Sequence, residues 1–418
     1  MLVRRSDPAE PAVRLALLRI VVSLLFLVMP EVHQGPARAA IPATLRVVPE
    51  GLHWFVAVMP ITPGVARIAQ AVCVFAALAA AAGLHARIAL AVVSVSGFYL
   101  FSLSQLSGWV WHDMHLLWMA ALLAASPCDE ALAFDRGSTR PPPDHARYGV
   151  RAQFARALLA CVYLFPGVHK LARSGIAWAL SDNLAYQLYW KWTEHGLTSP
   201  FRIDRVPGAL QAGGLFVLAF EITFPVVLFV PRARLAYAIG GIVFHLLAWM
   251  LFRIPFASLW LLYVVLLPNE WLRRFERGEA PPTEQPDARV SRATWWMGSL
   301  LVIAAAVQGV RGQMRSYPFA CYPTFEWRAG REMPDLAIEL ERADGSRVEV
   351  PRGHRTQRQW GEIWSLAGVN DPVDVRRLRA YVGRRDAVRV RVYRAYLDVR
   401  PEGRGREMRR VEIAEWAQ

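Results

Sequence analysis

Long apolar runs recur along the first three quarters of the chain, and they constrain its fold more than any other feature. A helix that crosses the hydrocarbon core of a bilayer needs roughly 17–25 predominantly apolar residues. Nine such segments can be read: 13–30, 65–84, 87–106, 109–126, 152–171, 209–230, 234–252, 254–268 and 293–310. The eighth is short and bounded by Pro255 and Pro268, the pattern of a re-entrant or partial span. Composition agrees. The chain is 54% hydrophobic and 20% charged, with a mean hydropathy of +0.23, whereas soluble domains sit near 45–50% and 25%. A simple soluble enzyme is excluded. So is disorder, because 16 tryptophans and bulky aliphatic residues dominate. The expected class is an all-α polytopic membrane protein of nine segments with a small C-terminal α+β extramembrane domain.

A net charge of +14 could suggest nucleic acid. The arginines, however, lie between apolar runs and in the C-terminal tail, which fits membrane topology signals and a basic extramembrane domain, so no nucleic-acid partner is expected. Arg4, Arg5 and Arg14 flank the first run and no Ala-x-Ala site directly follows it, so it reads as a span and not as a cleaved signal. With the N-terminus inside, Arg87, Arg136, Arg140, Arg147, Arg151, Arg232, Arg234, Arg273, Arg274, Arg277, Arg289 and Arg292 fall on the cytoplasmic side. The opposite loops carry fewer cations, so nine spans place the C-terminus outside, as expected for a multi-pass protein of a bacterial inner membrane. On that topology Cys128 is inside and Cys321 outside, and the two should not pair.

Two domains follow: a helical membrane domain, 1–310, and a basic tail, 311–418, expected to be periplasmic. In the tail, Leu336–Val350 alternates around Asp344-Gly345 as a β-hairpin does. Residues 371–382 read as a short amphipathic helix with Pro372 at its start, and Val388–Val392 as a period-2 strand. The Pro-rich patches 140–144 and 280–286 read as loops. Between 174 and 205 an amphipathic stretch rich in Trp and Tyr suggests helices lying on the membrane surface. Trp109, Trp111 and Trp118 suggest an interfacial aromatic belt.

Of the 48 Lys and Arg residues, two are lysine: Lys170 and Lys191. Arginine cannot be deprotonated in a protein, whereas lysine can serve as a base. Lys191 lies in the Trp-rich stretch and reads as interfacial. Lys170 falls at a helix end, where it either snorkels to the headgroups or works as a base. Ionisable residues within spans are expensive and are functional candidates by default. They are Arg19, His112, Asp113, His115, Lys170, Glu221 and His245. Consecutive antiparallel helices bring His112, Asp113, His115 and Lys170 to similar depth near the outer face. Glu221 and His245 on the next two helices can face the same cavity. Each has a plainer alternative: an interfacial histidine, a helix cap at Asp113, an interhelical hydrogen bond at Glu221, a snorkelling or carboxylate-paired Arg19. His112, Asp113 and His115 form one cluster with no second His-rich motif, so no metal is expected.

The run 163–178, Tyr-Leu-Phe-Pro-Gly-Val-His-Lys-Leu-Ala-Arg-Ser-Gly-Ile-Ala-Trp, resembles the Gly-Val-Lys-Lys-Leu…Trp segment of vitamin K-dependent γ-glutamyl carboxylases, which share the HTTM domain with many bacterial proteins. Ser199-Pro200-Phe201-Arg202 resembles the family's Ser-Pro-Phe-Lys. Phe244-His245 followed by Ser258, Leu17-Leu18-Arg19-Ile20 and His115-Leu-Leu-Trp118 resemble further family segments in the same order, over roughly 13–275. The resemblance implies that Lys170 is the base that deprotonates vitamin K hydroquinone. Oxygen then gives a strongly basic alkoxide and finally an epoxide, that base takes a γ-proton from a glutamate, and the carbanion captures CO2. By the same resemblance His115 assists the carbanion and CO2 step. His112, Asp113, His169, Trp178, Glu221 and His245 complete the expected binding site. The implied cofactor is reduced vitamin K or menaquinone, with O2 and CO2 as co-substrates. The implied partners are the lipid bilayer, a membrane quinone and a periplasmic peptide or protein. His169 replaces the first lysine of the family's pair, and a tail of 108 residues replaces its large luminal domain, which speaks against long Gla-domain precursors as substrates. The alternative expectation is a non-catalytic quinone- or lipid-binding membrane protein with a partner-binding tail.

Overall fold

The computed structural model of the protein describes residues 9–106, 112–136, 146–275, 291–313, 316–319, 325–352, 357–369, 372–383 and 385–418. Outside them lie Arg4, Arg5, Trp109, Trp111, Arg140, Arg277, Arg289, Cys321, the Pro-rich patches and the side chain of His112.

Among the described residues, ten helices of ten or more residues build the membrane domain: α1 (Ala12–Val28), α2 (Pro63–Ala82), α3 (Ala86–Ser104), α4 (His115–Ala124), α5 (Ala146–Ser174), α6 (Asn183–His195), α7 (Ala209–Thr223), α8 (Arg234–Phe252), α9 (Ala257–Leu266, partly 3-10) and α10 (Arg292–Arg311). Local chemistry sets several of their ends. Thr62 accepts the Val65 amide at the start of α2, and Gly83, at φ +79°, ends it. Ser291 accepts the Thr294 amide before α10, and Gly312, at φ +62°, ends that helix. A side-chain oxygen satisfies an orphan amide at the start, and glycine tolerates the left-handed turn at the end.

Among the described residues, five helices are long and apolar enough to cross a membrane: Pro63–Ala82, Ala86–Ser104, Ala146–Ser174, Pro231–Phe252 and Arg292–Arg311. The remaining apolar segments are helical but shorter. α4 and α9 have 10 residues each and α7 has 15, while α1 has 17 and carries Arg14 and Arg19. Residues such as Ile68, Phe75, Val95, Ile239, Trp296 and Val310 stand exposed on the long helices. An apolar belt of this kind suits a lipid solvent and not water.

Buried arginines tie the bundle together. Glu10, 1% exposed, accepts Arg156 at 2.7 and 2.9 Å and pairs with Arg14 and Arg234. Arg14 also donates to the carbonyls of Val265 (2.9 Å) and Leu267 (2.8 Å), joining the chain start to the end of α9. Arg19 neither snorkels nor pairs with a carboxylate, as its sequence position suggested. It is fully buried and donates to the carbonyls of Cys128 (2.7 Å), Ala131 (3.3 Å) and Leu132, just beyond the C-terminus of α4. Buried loop carbonyls need donors, and the guanidinium supplies several at once. Cys73, Cys128 and Cys161 are buried free thiols.

The tail is a four-stranded antiparallel sheet in the order β2-β1-β3-β4: β1 (Glu332–Glu341), β2 (Arg347–Glu349), β3 (Arg389–Asp398) and β4 (Glu407–Ala417). Asp344 Oδ1 accepts the Ser346 amide in the β1–β2 turn, and Gly345 takes φ +80°. α11 (Gln357–Leu366) and α12 (Val375–Val382) cover one face, with Ile363, Leu366, Leu378 and Val382 packed on Ile338, Val390, Val392 and Trp416.

Candidate active site

α5 carries Tyr163 and Lys170 seven residues apart, two turns along one helical face. Gly167 lies between them. A Cβ there would come within 2.9 Å of Glu221 Cβ and 3.0 Å of Ile222 Cγ1, so the missing side chain lets α7 approach closely. That approach sets Glu221 against Lys170, whose Nζ donates to both carboxylate oxygens at 2.6 Å. The two side chains are 4% and 7% exposed, so the pair is held almost entirely out of water.

The pair lies in the wall of a cavity of about 230 Å³ between α5, α7, α8 and residues 254–259. Most of the wall is apolar; its polar groups come from Tyr163, Lys170, Gln187, Glu221 and His245. Tyr163 Oη lies 2.6 Å from His245 Nε2 and 2.5 Å from Tyr263 Oη, so one hydroxyl links three helices. A Cβ at Gly241 would stand 2.3 Å from Tyr263 Oη, so this glycine makes room for that ring. His245 is 2% exposed and its Nδ1 has no hydrogen-bond partner among the described residues. The roof is the turn Ala177–Leu180 with α6 and Phe325. The Trp178 ring lies 5.2 Å from Lys170 Nζ, and its Nε1 donates to the Phe325 carbonyl at 2.6 Å. Asn183 fastens the roof by donating to the Trp178 carbonyl (2.9 Å) and accepting the Ala329 amide (2.8 Å).

The sequence profile of the HTTM domain matches residues 7–271, well over half of the chain. The chain belongs to the HTTM family. HTTM is the domain found in the vitamin K-dependent carboxylase family, in keeping with the resemblance over roughly 13–275. No curated protein and no solved structure matches the chain.

Within this HTTM domain, Lys170, Glu221, His245 and Trp178 meet at one cavity. Of the other expected site residues, His115, Asp113 and His169 are not part of its lining. His115 Nε2 is 2.9 Å from the Ser258 carbonyl and Asp113 accepts the Ser258 hydroxyl, so both hold the start of α9 behind the cavity wall. His169 turns the other way, with Nε2 2.7 Å from the Gly309 carbonyl of α10. Tyr163, Tyr263 and Gln187 were not anticipated. The seven-residue spacing from Tyr163 to Lys170 was a usable signal; nothing local marked Tyr263 or Gln187.

Two surface readings also change. Lys191 is 8% exposed and donates to Glu194 at 2.6 Å, so it is a buried ion pair and not an interfacial cation. α6 does not present a free apolar face to lipid. Leu184 and Gln187 face the cavity, while Tyr186, Tyr189 and Trp190 pack with Met333, Val399 and Trp364 of the tail.

Proposed function

We propose that this HTTM protein is an integral membrane carboxylase/epoxidase-like enzyme. It couples oxidation of a reduced quinone of the vitamin K or menaquinone type by O2 to carboxylation of a glutamate-like substrate. The observation that carries the reading is Lys170: a buried amine in an apolar cavity, at the position where the family resemblance asks for a base. The lining fits a quinol, with an indole face at Trp178, polar atoms at one pole and an apolar wall elsewhere. The bound quinol, with O2, would supply the strong base that the protein lacks. The chain's own part is to hold and move protons. Lys170 Nζ donates to both oxygens of Glu221, so it can pass one of its protons to that carboxylate and, as the neutral amine so formed, take a proton from a hydroxyl. Tyr163, between His245 and Tyr263, offers a second path for a proton. The roof and the apolar wall exclude water from these groups. The arginine bias supports an N-terminus in the cytoplasm of a bacterial cell and a tail outside, where a periplasmic peptide or protein can meet it.

One observation favours the second reading, a non-catalytic quinone- or lipid-binding protein with a partner-binding tail. Glu221 satisfies Lys170 without any ligand. Epoxide formation separates the two. Purified protein in nanodiscs is given reduced menaquinone or vitamin K with O2, and epoxide is followed by chromatography. The enzymatic reading expects epoxide from wild type and its loss in Lys170→Ala. No epoxide from wild type, or a fully active Lys170→Ala, sinks that reading.

A further inference from the structure

Phe216 on α7 and Leu247 on α8 both line the cavity and are still 42% and 46% exposed. A residue that is at once wall and surface stands at a rim, so the cavity has a mouth between these two helices. The flanks beside it are apolar and exposed, at Leu215, Val243 and Leu246. Such flanks face hydrocarbon, so the mouth opens sideways into the bilayer.

Two adjacent glycines of α7 sit near this mouth and do different things. Gly214 has a packing reason, since a Cβ there would come within 2.9 Å of Ala179 Cα. Gly213 has none, since a Cβ there would meet no atom within 4 Å. It lines the cavity, so any side chain at this position would project into open space. Glycine is the weakest helix former after proline, so an unpacked glycine inside a helix weakens it with no return in packing. Gly213 also lies eight residues before Glu221, about 12 Å along the helix axis. The polar pole and this open stretch are therefore well separated.

We propose that Gly213 is the gate of a lateral portal that admits the hydrocarbon chain of an amphiphilic substrate whose head group binds at Lys170 and Glu221. The inference rests on the quinol reading of the cavity and adds to it the residue that selects for a chain. A leucine at 213 fills the chain path and leaves the head site untouched. It also improves the helix, so the fold is not the limiting factor.

The test compares two probes with one ring system, each reduced to its hydroquinone and kept free of oxygen: phylloquinone, which carries a long chain, and menadione, which carries none. Apparent Kd values are measured by native mass spectrometry of the full-length protein released from detergent. Gly213→Leu is expected to weaken phylloquinone at least tenfold and to leave menadione within twofold, with Gly213→Ala between wild type and Gly213→Leu for phylloquinone. Undiminished phylloquinone binding by Gly213→Leu overturns the gate and leaves the quinol reading standing. Equal weakening of both probes overturns the gate as well, because the substitution then acts on the head site. Binding of neither probe by wild type overturns the quinol reading, and the gate with it.

Discussion

Replacing Lys170 by methionine strips from Glu221 the ammonium that stands 2.6 Å from both of its oxygens. Replacing Glu221 by leucine orphans the lysine in the same way. Removing one partner of a buried pair typically costs about 3–5 kcal/mol, because a charge is left without compensation. The double variant Lys170→Met/Glu221→Leu is different. It removes both charges and their desolvation penalty and keeps similar volumes, so it should be near neutral or stabilising. With about 2–4 °C per kcal/mol for a unit of a few hundred residues, each single variant should melt about 10 °C lower and the double within about 3 °C of wild type. A thiol-reactive dye reads the unfolding, because Cys73, Cys128 and Cys161 are buried free thiols. Single variants that melt like wild type, or a double variant as weak as the two losses added, would refute the pairing. A stable double variant has a second use: it keeps the fold without the amine, so epoxide formed by it would exclude Lys170 as the base.

Tyr163→Phe removes the hydroxyl that joins His245 to Tyr263. Leaving buried groups unpaired costs about 1–3 kcal/mol, so the same thermal assay should show a drop of several degrees, and an unchanged midpoint would argue that the three groups do not share a bond. Gly167→Ala sets a methyl 2.9 Å from Glu221 Cβ. It should cost about 1–3 kcal/mol of overpacking and lower epoxide formation together with stability; loss of neither would mean that α5 and α7 do not need this approach. Asp398 tests the tail through pH. Burial opposes its charge, but hydrogen bonds from Arg331 at 2.7 Å and from Arg400 at 3.1 Å outweigh that and hold its carboxyl well below the ordinary carboxylate range. A depressed carboxyl stabilises the fold above its unfolded titration point and loses that contribution as pH falls below it. Asp398→Asn should therefore melt lower than wild type at pH 7, with a gap that closes as pH drops from about 5 towards 2; a gap independent of pH would show that the charge is not what stabilises.

Apolar run length made the helices legible, because a span must bury its backbone polarity within one segment. It could not separate long helices from short ones: α7 and α9 are as apolar as the spans but stop early, at Thr223-Phe224-Pro225 and at Leu267-Pro268. Helix order suggested only that Glu221 and His245 could face one cavity with Lys170, and it set His115 and Asp113 at the depth of Lys170; the close pairing of Glu221 with Lys170 depends on the missing side chain at Gly167, which helix order does not carry. The turning away of His169 was not legible either, because rotation about a helix axis depends on the neighbour, here the Gly309 carbonyl of α10. In the tail, the β1–β2 hairpin and β3 announced themselves by alternation. β4 did not: the register with β3 shifts between Val392 and Tyr393, and Ile413 falls outside the pairing. An extra residue of this kind breaks the period-2 signal. α11 escaped notice for a related reason, since Gln357-Arg358-Gln359 opens it with polar residues before Trp360.

The scarcity of lysine has a structural counterpart that the positions alone could not supply. Lys170 and Lys191 are both buried, at 3% and 8% exposure, and each meets one carboxylate at 2.6 Å and one aromatic ring, Trp178 at 5.2 Å and Phe325 at 5.9 Å. Those two rings belong to the same roof, because Trp178 donates to the Phe325 carbonyl. An ammonium brings three donors on a compact head; a guanidinium brings five on a wide planar fork. Lys170 spends its bonds on the two oxygens of Glu221 and turns its remaining surface to an indole. An arginine there would carry further N–H groups into an apolar wall with nothing shown to receive them, at a desolvation cost of about 1–3 kcal/mol for each unpaired donor. Everywhere else in the chain the cation is an arginine; of the buried ones, Arg14 and Arg19 find several carbonyls, while Arg156 and Arg234 share Glu10 and each reach one carbonyl besides. The two lysines therefore mark the two places where a buried cation must fit a single carboxylate beneath an aromatic roof. One of those places opens into the cavity, and the other lies in the helix that joins the cavity to the tail.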